Sequence, residues 1–271
     1  MNPSEREPIA SPHNTRIKSA AKLHKRHERD RTGSILIEGI RELSRALERG
    51  IVVEEVFCCR DLLDRESSEP VMRGIEERGI PLTAVGRKAF EKLAYREATG
   101  GLVALARRPS SALEDLPERD CPLYLVVDSV EKPGNLGALM RSADGAGAAG
   151  VIITDPGTDL FNPNAIRSSL GTIFTVPNAM AETSLAIRWL KARNVAIVTT
   201  SPAGEAFYTE ADFTGPSAIV VGSEDRGLGR GWLEASDRSV RIPMRGAADS
   251  LNVSVTAAIL LYEALRQRQN P

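Results

Sequence analysis

Cysteine is scarce in this 271-residue chain, and aromatic residues make up only 4% of it. The three cysteines are an odd number, and Cys58 and Cys59 are adjacent while Cys121 lies far off. They therefore supply neither a disulfide framework nor a C-x-x-C metal or redox pair, and are expected to be reduced, mostly buried and inert. Equally missing is an apolar run near the roughly 18 residues that a membrane span needs. From Met1 to Asn14 there are prolines and charges where a signal peptide would carry an apolar core. These absences speak against a membrane anchor, a secreted disulfide scaffold and a metal centre, and a cytoplasmic protein is expected. The shortage of aromatics argues further against a surface that stacks many nucleic-acid bases.

What is present is the composition of an ordinary α/β protein, with 42% hydrophobic and 26% charged residues. The length suits two domains better than one. A formal net charge of −1 conceals an asymmetry: up to Ser111 there are 21 Lys and Arg against 17 Asp and Glu, and beyond it 14 against 19. Most of the basic excess lies in Arg16 to Arg31, where Arg16, Lys18, Lys22, Lys25, Arg26, Arg29 and Arg31 face only Glu28 and Asp30.

Apolar periodicity and turn residues divide the chain. Residues 1–14 form a polar tail. Residues 15–108 are predicted to be a small α/β domain, opening with a helix from Thr15 to Asp30 and a strand at Ile35–Ile37. Residues 109–121 carry Pro109, Ser110, Ser111 and Pro117 with little periodicity, as a linker does. Residues 122–271 alternate strands with helices. Strands are predicted at Leu123–Val127, Val151–Thr154, Val195–Thr199, Ala218–Val221 and Val240–Ile242, and the pattern implies a mainly parallel sheet covered on both faces. The last helix, Val253 to Arg268, is apolar on most sides of its first half. It is buried either centrally in its own domain or against a second subunit.

Gly145-Ala146-Gly147-Ala148-Ala149-Gly150 matches the G-x-G-x-x-G dinucleotide fingerprint in letters only. That fingerprint must open a helix after a strand, so that pyrophosphate meets the helix N-terminus. Here the glycines close a helix before a strand, which predicts a helix exit and no nucleotide site.

Chemistry-bearing residues gather on three segments that each follow a predicted strand. They are Asn135-Leu136-Gly137-Ala138-Leu139-Met140-Arg141, Gly222-Ser223-Glu224-Asp225-Arg226-Gly227-Leu228, and Ile242-Pro243-Met244 followed by Ser250-Leu251-Asn252-Val253-Ser254. Loops at the ends of strands can converge on one pocket. Taken together and in this order, the segments resemble the three motifs of the SpoU/TrmH family of RNA 2′-O-ribose methyltransferases, in the SPOUT superfamily. The basic first helix followed by Ile35-Leu36-Ile37-Glu38-Gly39 also looks like the RNA-substrate-binding α/β sandwich that many members carry.

The resemblance implies S-adenosylmethionine as methyl donor, a trefoil knot in the C-terminal domain, and a homodimer. It assigns Gly222, Ile242 and Leu251 to the cofactor, with Thr199, Thr200 and Met244 close by. It assigns Arg141 to activating the ribose hydroxyl, with Asn135, Glu224, Ser250 and Asn252 around it. A guanidinium with a pKa above about 12 stays protonated. Arg141 is therefore expected to grip a phosphate and stabilise oxyanion charge, and the proton to pass to phosphate or water. Capping alone would also account for Asn135 and Ser250 at helix entrances. Arg16, Lys18, Lys22, Lys25 and Arg26 are candidates to track RNA phosphates, and Arg167 is a further RNA candidate because the family has a similar segment near its RNA. The expected function is methylation of a ribose 2′-OH in ribosomal RNA. Transfer RNA as substrate, a non-catalytic RNA-binding factor, and a methyltransferase for small molecules or proteins are the competing readings.

Overall fold

The computed structural model describes residues 7–95, 100–222 and 227–269. In chain order the helices are α1 (Thr15–Ala21), α2 (Arg26–Thr32), α3 (Ile40–Glu48), α4 (Arg65–Glu77), α5 (Arg87–Leu93), α6 (Pro133–Gly145), α7 (Pro163–Ser168), α8 (Thr172–Thr175), α9 (Thr183–Lys191), α10 (Arg230–Ala235) and α11 (Val253–Gln269). The strands are β1 (Ser34–Glu38), β2 (Val53–Cys58), β3 (Leu82–Ala84), β4 (Leu102–Arg107), β5 (Leu123–Asp128), β6 (Gly150–Thr154), β7 (Asn178–Ala181), β8 (Ala196–Thr200), β9 (Ala206–Phe207), β10 (Ser217–Val221) and β11 (Arg238–Arg241).

Two compact units form, one from Met1–Pro109 with Leu160–Thr175 and the other from Ser110–Asp159 with Val176–Pro271. The break after Pro109 coincides with the start of the proline-rich stretch. The segment Leu160–Thr175 packs with the first unit, although it lies within the second stretch of sequence. Its helices α7 and α8 pack on β1 and α3, and Arg45 donates to the carbonyl of Leu170 at 2.7 Å.

In the first unit a four-stranded sheet runs in the order β1-β4-β2-β3, with only β2 and β3 parallel. Ile17, Leu23, Leu36, Phe57, Phe90 and Val103 fill one side of it. The helix predicted over Thr15–Asp30 is broken: Lys25 takes an extended conformation (φ −93°, ψ 133°) between a 3₁₀ turn and α2. The break lets Arg29 turn inward, where it is buried and donates to the carbonyl of Leu23 at 2.5 Å. A single basic helix face is thus replaced by two short helices, one of whose arginines is structural.

β1 ends in Glu38, a buried carboxylate whose two oxygens each accept the Tyr95 backbone N–H at 2.9 Å. Burial pushes its pKa up to about 7, against the opposing pull of that N–H and of the Arg167 charge. Glu42 is also raised by burial.

The second unit is built on seven strands in the order β7-β6-β5-β10-β8-β11-β9, every neighbouring pair parallel. β5, β6 and β10 are buried along their whole length, as parallel strands covered on both faces must be. Tyr124, Val126, Ile152, Leu190, Ile197 and Trp232 form a core on one side. The strands at β7 and β9 escape prediction because they are short and lie at the two edges.

The glycine-rich decoy is a helix exit. Gly147 is left-handed (φ +66°), and the N–H groups of Gly147 and Ala148 donate to the carbonyls of Asp144 and Ala143, which closes α6 in a Schellman motif. A side chain at Gly145 would meet the hydroxyl of Tyr262 on α11 at 2.8 Å, so a larger residue there would displace the end of that half-exposed side chain. On α11, Val253, Ala257, Leu260, Leu261 and Ala264 are buried, while Val255 and Tyr262 are about half exposed. Cys58 and Cys59 are buried with raised thiol pKa values from that burial, whereas Cys121 is exposed and donates to the carbonyl of Thr214. Among the described residues no helix is long and apolar enough to cross a membrane, and no group of three or more His, Cys, Asp or Glu is placed to hold a metal ion.

The raised pKa of Glu38 ties stability to pH. The neutral carboxyl is favoured on folding, so its contribution is complete below about 4.5 and is lost as pH rises through about 7. Glu38→Gln should flatten the stability profile between pH 5 and 8, removing a fall of order 3 kcal/mol at most in the wild type. Urea denaturation at several pH values reads this; parallel profiles for the two proteins would refute it.

Candidate active site

β8, β10 and β11 end at the same edge of the sheet, and their carboxyl ends open onto a cavity of about 370 Å³. This edge is where open α/β sheets bind ligands, because the loops there leave the packed layers and can vary freely. Thr200, Ser201 and Pro202 follow β8; Gly222 and Gly227 follow β10; Ile242 and Met244 follow β11; and Ser250 and Leu251 lead into α11. Val240, Ile242, Leu251, Val253 and Leu260 make the walls largely apolar, and among the described lining residues Asp249 alone carries a charge.

Gly222 is where the backbone must come closest to itself. A side chain there would run into the carbonyl of Gly227 and come within 2.7 Å of the Leu228 nitrogen. Gly227 completes this neck in the left-handed region (φ +66°), which glycine adopts without strain. Both glycines line the cavity, so its wall is backbone and offers N–H and C=O groups directly.

The third motif caps α11. Asn252 Oδ1 accepts from the Ser254 N–H at 3.0 Å and the Ser254 hydroxyl at 2.6 Å, occupying the side chain's acceptor as an N-cap. Its Nδ2 is left to donate across to Asn135 Oδ1 at 3.2 Å. That bond joins the entrances of α6 and α11, 117 residues apart in sequence.

The predicted residues fall into four groups. Thr200, Gly222, Ile242, Met244, Ser250 and Leu251 line the cavity, and Asn135 is hydrogen-bonded to Asn252 beside it. Thr199, next to Thr200, is fully buried, lies 2.8 Å from Ser236 Oγ through its hydroxyl, and does not itself line the cavity. Successive strand residues face opposite ways, so only one of the two threonines can point to the site. Glu224 lies outside the described residues. Arg141 is exposed on α6 and does not line the cavity.

The RNA candidates belong to the first unit. Arg16 is paired with Glu55 and donates to Thr83 at 3.0 Å, and Arg26 faces Asp30 at 3.6 Å. Lys18, Lys22 and Lys25 are exposed and have no ion-pair partner among the described residues. Arg167 is half-buried; its Nη1 is buried without a partner among the described residues, and its charge acts on Glu38 and Glu42. Sequence reasoning missed Ser201, Pro202, Asp249, Thr256 and Leu260 in the lining. The Thr-Thr-Ser-Pro turn after β8 was the available signal for the first two.

Residues 122–262 match the model of the SpoU rRNA Methylase family, and residues 14–104 match the MRM3-like substrate binding domain. The chain belongs to the SpoU rRNA methylase family. It is 37% identical to a 23S rRNA (guanosine-2′-O-)-methyltransferase of Pectobacterium atrosepticum, over 87% of this chain and 99% of that one. A crystal structure of an RNA 2′-O ribose methyltransferase superimposes with a TM-score of 0.86 at 44% identity, covering 97% of this chain and all of that one. The SpoU methyltransferase AviRb of Streptomyces viridochromogenes, crystallised with S-adenosylmethionine, gives a TM-score of 0.88 at 30% identity, with 95% and 99% covered.

The neck at Gly222 makes a stability prediction within this SpoU domain. Gly222→Ala should cost about 1–3 kcal/mol, as overpacking against rigid backbone does. Gly215→Ala, whose methyl would meet open space, should stay within about 0.5 kcal/mol of wild type. Equal urea midpoints for the two variants would show that the neck yields freely.

Proposed function

We propose that the chain transfers the methyl group of S-adenosylmethionine to a ribose 2′-hydroxyl of ribosomal RNA, acting in the cytoplasm as a homodimer. The carrying observation is the convergence of the motif segments. Two of them wall a single cavity, and the Asn252–Asn135 hydrogen bond draws the remaining one to its side.

The cavity suits the cofactor. Its volume of about 370 Å³ falls within the range for small-molecule sites, roughly 300–1,000 Å³. Ile242 and Leu251 offer an apolar slot for adenine, and the side-chain-free backbone at Gly222 and Gly227 offers hydrogen bonds to its polar edge. No Lys or Arg lines the described wall, so nothing there repels a sulfonium. When bound, the cofactor supplies an electrophilic methyl carbon.

The chain's own residues must then prepare the hydroxyl. Asn135, oriented by Asn252, holds the ribose; Ser250 steadies the loop before α11; Thr200 and Met244 border the cofactor. Arg141 grips a phosphate beside the ribose and offsets the negative charge that grows on the 2′-oxygen, while the proton leaves to phosphate or water. Lys18, Lys22 and Lys25, exposed in the first unit, contact RNA phosphates and give salt-sensitive, largely sequence-blind affinity. A second copy of the chain covers the half-exposed Val255 and Tyr262 of α11. This would resolve the alternatives left open for that helix in favour of a subunit interface.

The test is transfer of tritium from labelled S-adenosylmethionine to ribosomal RNA. Incorporation should vanish when the target nucleotide is replaced by its 2′-deoxy form. Arg141→Ala should lower turnover by at least about a hundredfold while cofactor affinity stays within a few-fold, as expected for charge stabilisation confined to the transition state. Labelling of transfer RNA alone would reject the ribosomal substrate. Tight RNA binding without any transfer would reject the enzyme.

A further inference from the structure

Asp128 is the last residue of β5 and is 3% exposed, yet no lysine or arginine neutralises it by a salt bridge among the described residues. Its carboxylate takes hydrogen bonds from two directions. Oδ1 accepts from the Thr154 hydroxyl at the end of β6 (2.8 Å); the Thr183 hydroxyl at the start of α9 stands 3.4 Å away and gives its proton to Asp155 Oδ2 at 2.7 Å. Oδ2 accepts the backbone N–H of Gly229 at 3.1 Å. The Thr154 bond stays between neighbouring strands of the sheet. The Gly229 bond does something different, because Gly229 lies just beyond the neck that closes on the cavity.

The register explains how this aspartate reaches it. β5 and β10 are adjacent and parallel, with Val127 opposite Val221, so Asp128 stands one rung on, level with Gly222. Gly222 abuts Gly227 and Leu228 so closely that a methyl group will not fit between them. Fixing Gly229 therefore fixes Gly227 two residues earlier, and with it the position of the backbone wall. On the other side the two residues are in ordinary van der Waals contact: a side chain at Gly229 would sit 3.5 Å from Asp128 Oδ2. Immediately after the two strand ends, Ser129 and Asp155 both adopt positive φ (54° and 43°), which turns the chain away and leaves the Asp128 carboxylate free to face the returning segment.

We propose that Asp128 is a positioning residue that sets the backbone wall of the cofactor cavity by holding the Gly229 N–H. It touches neither cofactor nor RNA and acts through Gly227 and Gly222. This inference rests on the cavity being the S-adenosylmethionine site, and the experiment separates the two ideas.

Asp128→Ala, Asp128→Asn and wild type are compared by amide hydrogen exchange at Gly227, Leu228 and Gly229, by calorimetric titration with S-adenosylmethionine, and by methyl transfer at saturating cofactor. The alanine variant should exchange at least about tenfold faster at these three amides. It should bind the cofactor at least about tenfold more weakly, with KM for RNA within about twofold. The asparagine variant should recover most of both losses. Its amide can turn its oxygen to Gly229 and its NH₂ to the threonine hydroxyls, which can accept as well as donate. Unchanged exchange in Asp128→Ala overturns the proposal, as does faster exchange with unchanged cofactor affinity. Losses in the alanine variant that the asparagine variant fails to recover also overturn it, since they would mark a general requirement for buried charge. If wild type itself binds no S-adenosylmethionine, the cofactor reading fails and the cavity proposal fails with it; the exchange data then report only whether Asp128 holds Gly229.

Discussion

Seven strands running in one direction leave a protein little choice about where to do chemistry. Both faces of such a sheet are consumed by helices, and burial of β5, β6 and β10 along their full length leaves no polar surface there. Every strand delivers its chain to the same edge. Functional groups that lie far apart in sequence are thereby brought side by side without any need for long-range recognition between loops. The cavity flanked by β8, β10 and β11 is the direct result, and the motif residues that line it are those closest to the strand ends.

Two kinds of local device refine that placement. One is removal of side chains: at Gly222 the wall is as thin as a polypeptide can be, which brings hydrogen-bonding backbone to the surface of an otherwise apolar niche. The other is redirection of a cap. Asn252 satisfies the entrance of α11 with its oxygen, and this leaves the nitrogen of the same amide to reach Asn135. An aspartate could cap the helix equally well, but an ionised carboxylate only accepts and has no donor to offer in the second direction. Capping and joining two helix entrances are here two halves of one side chain.

Much of this architecture is legible from the chain alone. Alternating apolar runs and helical segments announce the parallel sheet, and the glycines at Gly145 to Gly150 betray a helix exit by their order relative to helix and strand. The cavity-lining motif residues are legible through a resemblance of motifs rather than through periodicity, and that route does not distinguish the orientations of neighbouring strand residues. Adjacent threonines in a strand look alike in sequence, and only the pleat decides that Thr200 lines the cavity while Thr199 is buried against Ser236. Lys25 and Arg29 show another limit. Basic spacing over Arg16 to Arg31 reads as one solvated helix, but the requirement to bury Leu23 and Arg29 breaks it, and no local preference signals that tertiary demand. The packing of Leu160–Thr175 with the first unit is likewise invisible, because its partners on β1 and α3 lie more than a hundred residues earlier.

The distribution of charge is the remaining step. The described cavity wall has an acid at Asp249 and no base, whereas Arg141 stands exposed on α6 and the lysines of the first unit face solvent. A cofactor that carries positive charge at its reacting centre and a substrate that carries negative charge along its backbone place opposite demands on a protein. Cations lining the cavity would repel a sulfonium, while phosphates need cations with freedom to meet them. Keeping the niche neutral to acidic and setting the arginine outside it satisfies both demands. Under the proposed reaction, the guanidinium outside the niche contributes charge near the reacting oxygen and is not asked to act as a proton acceptor.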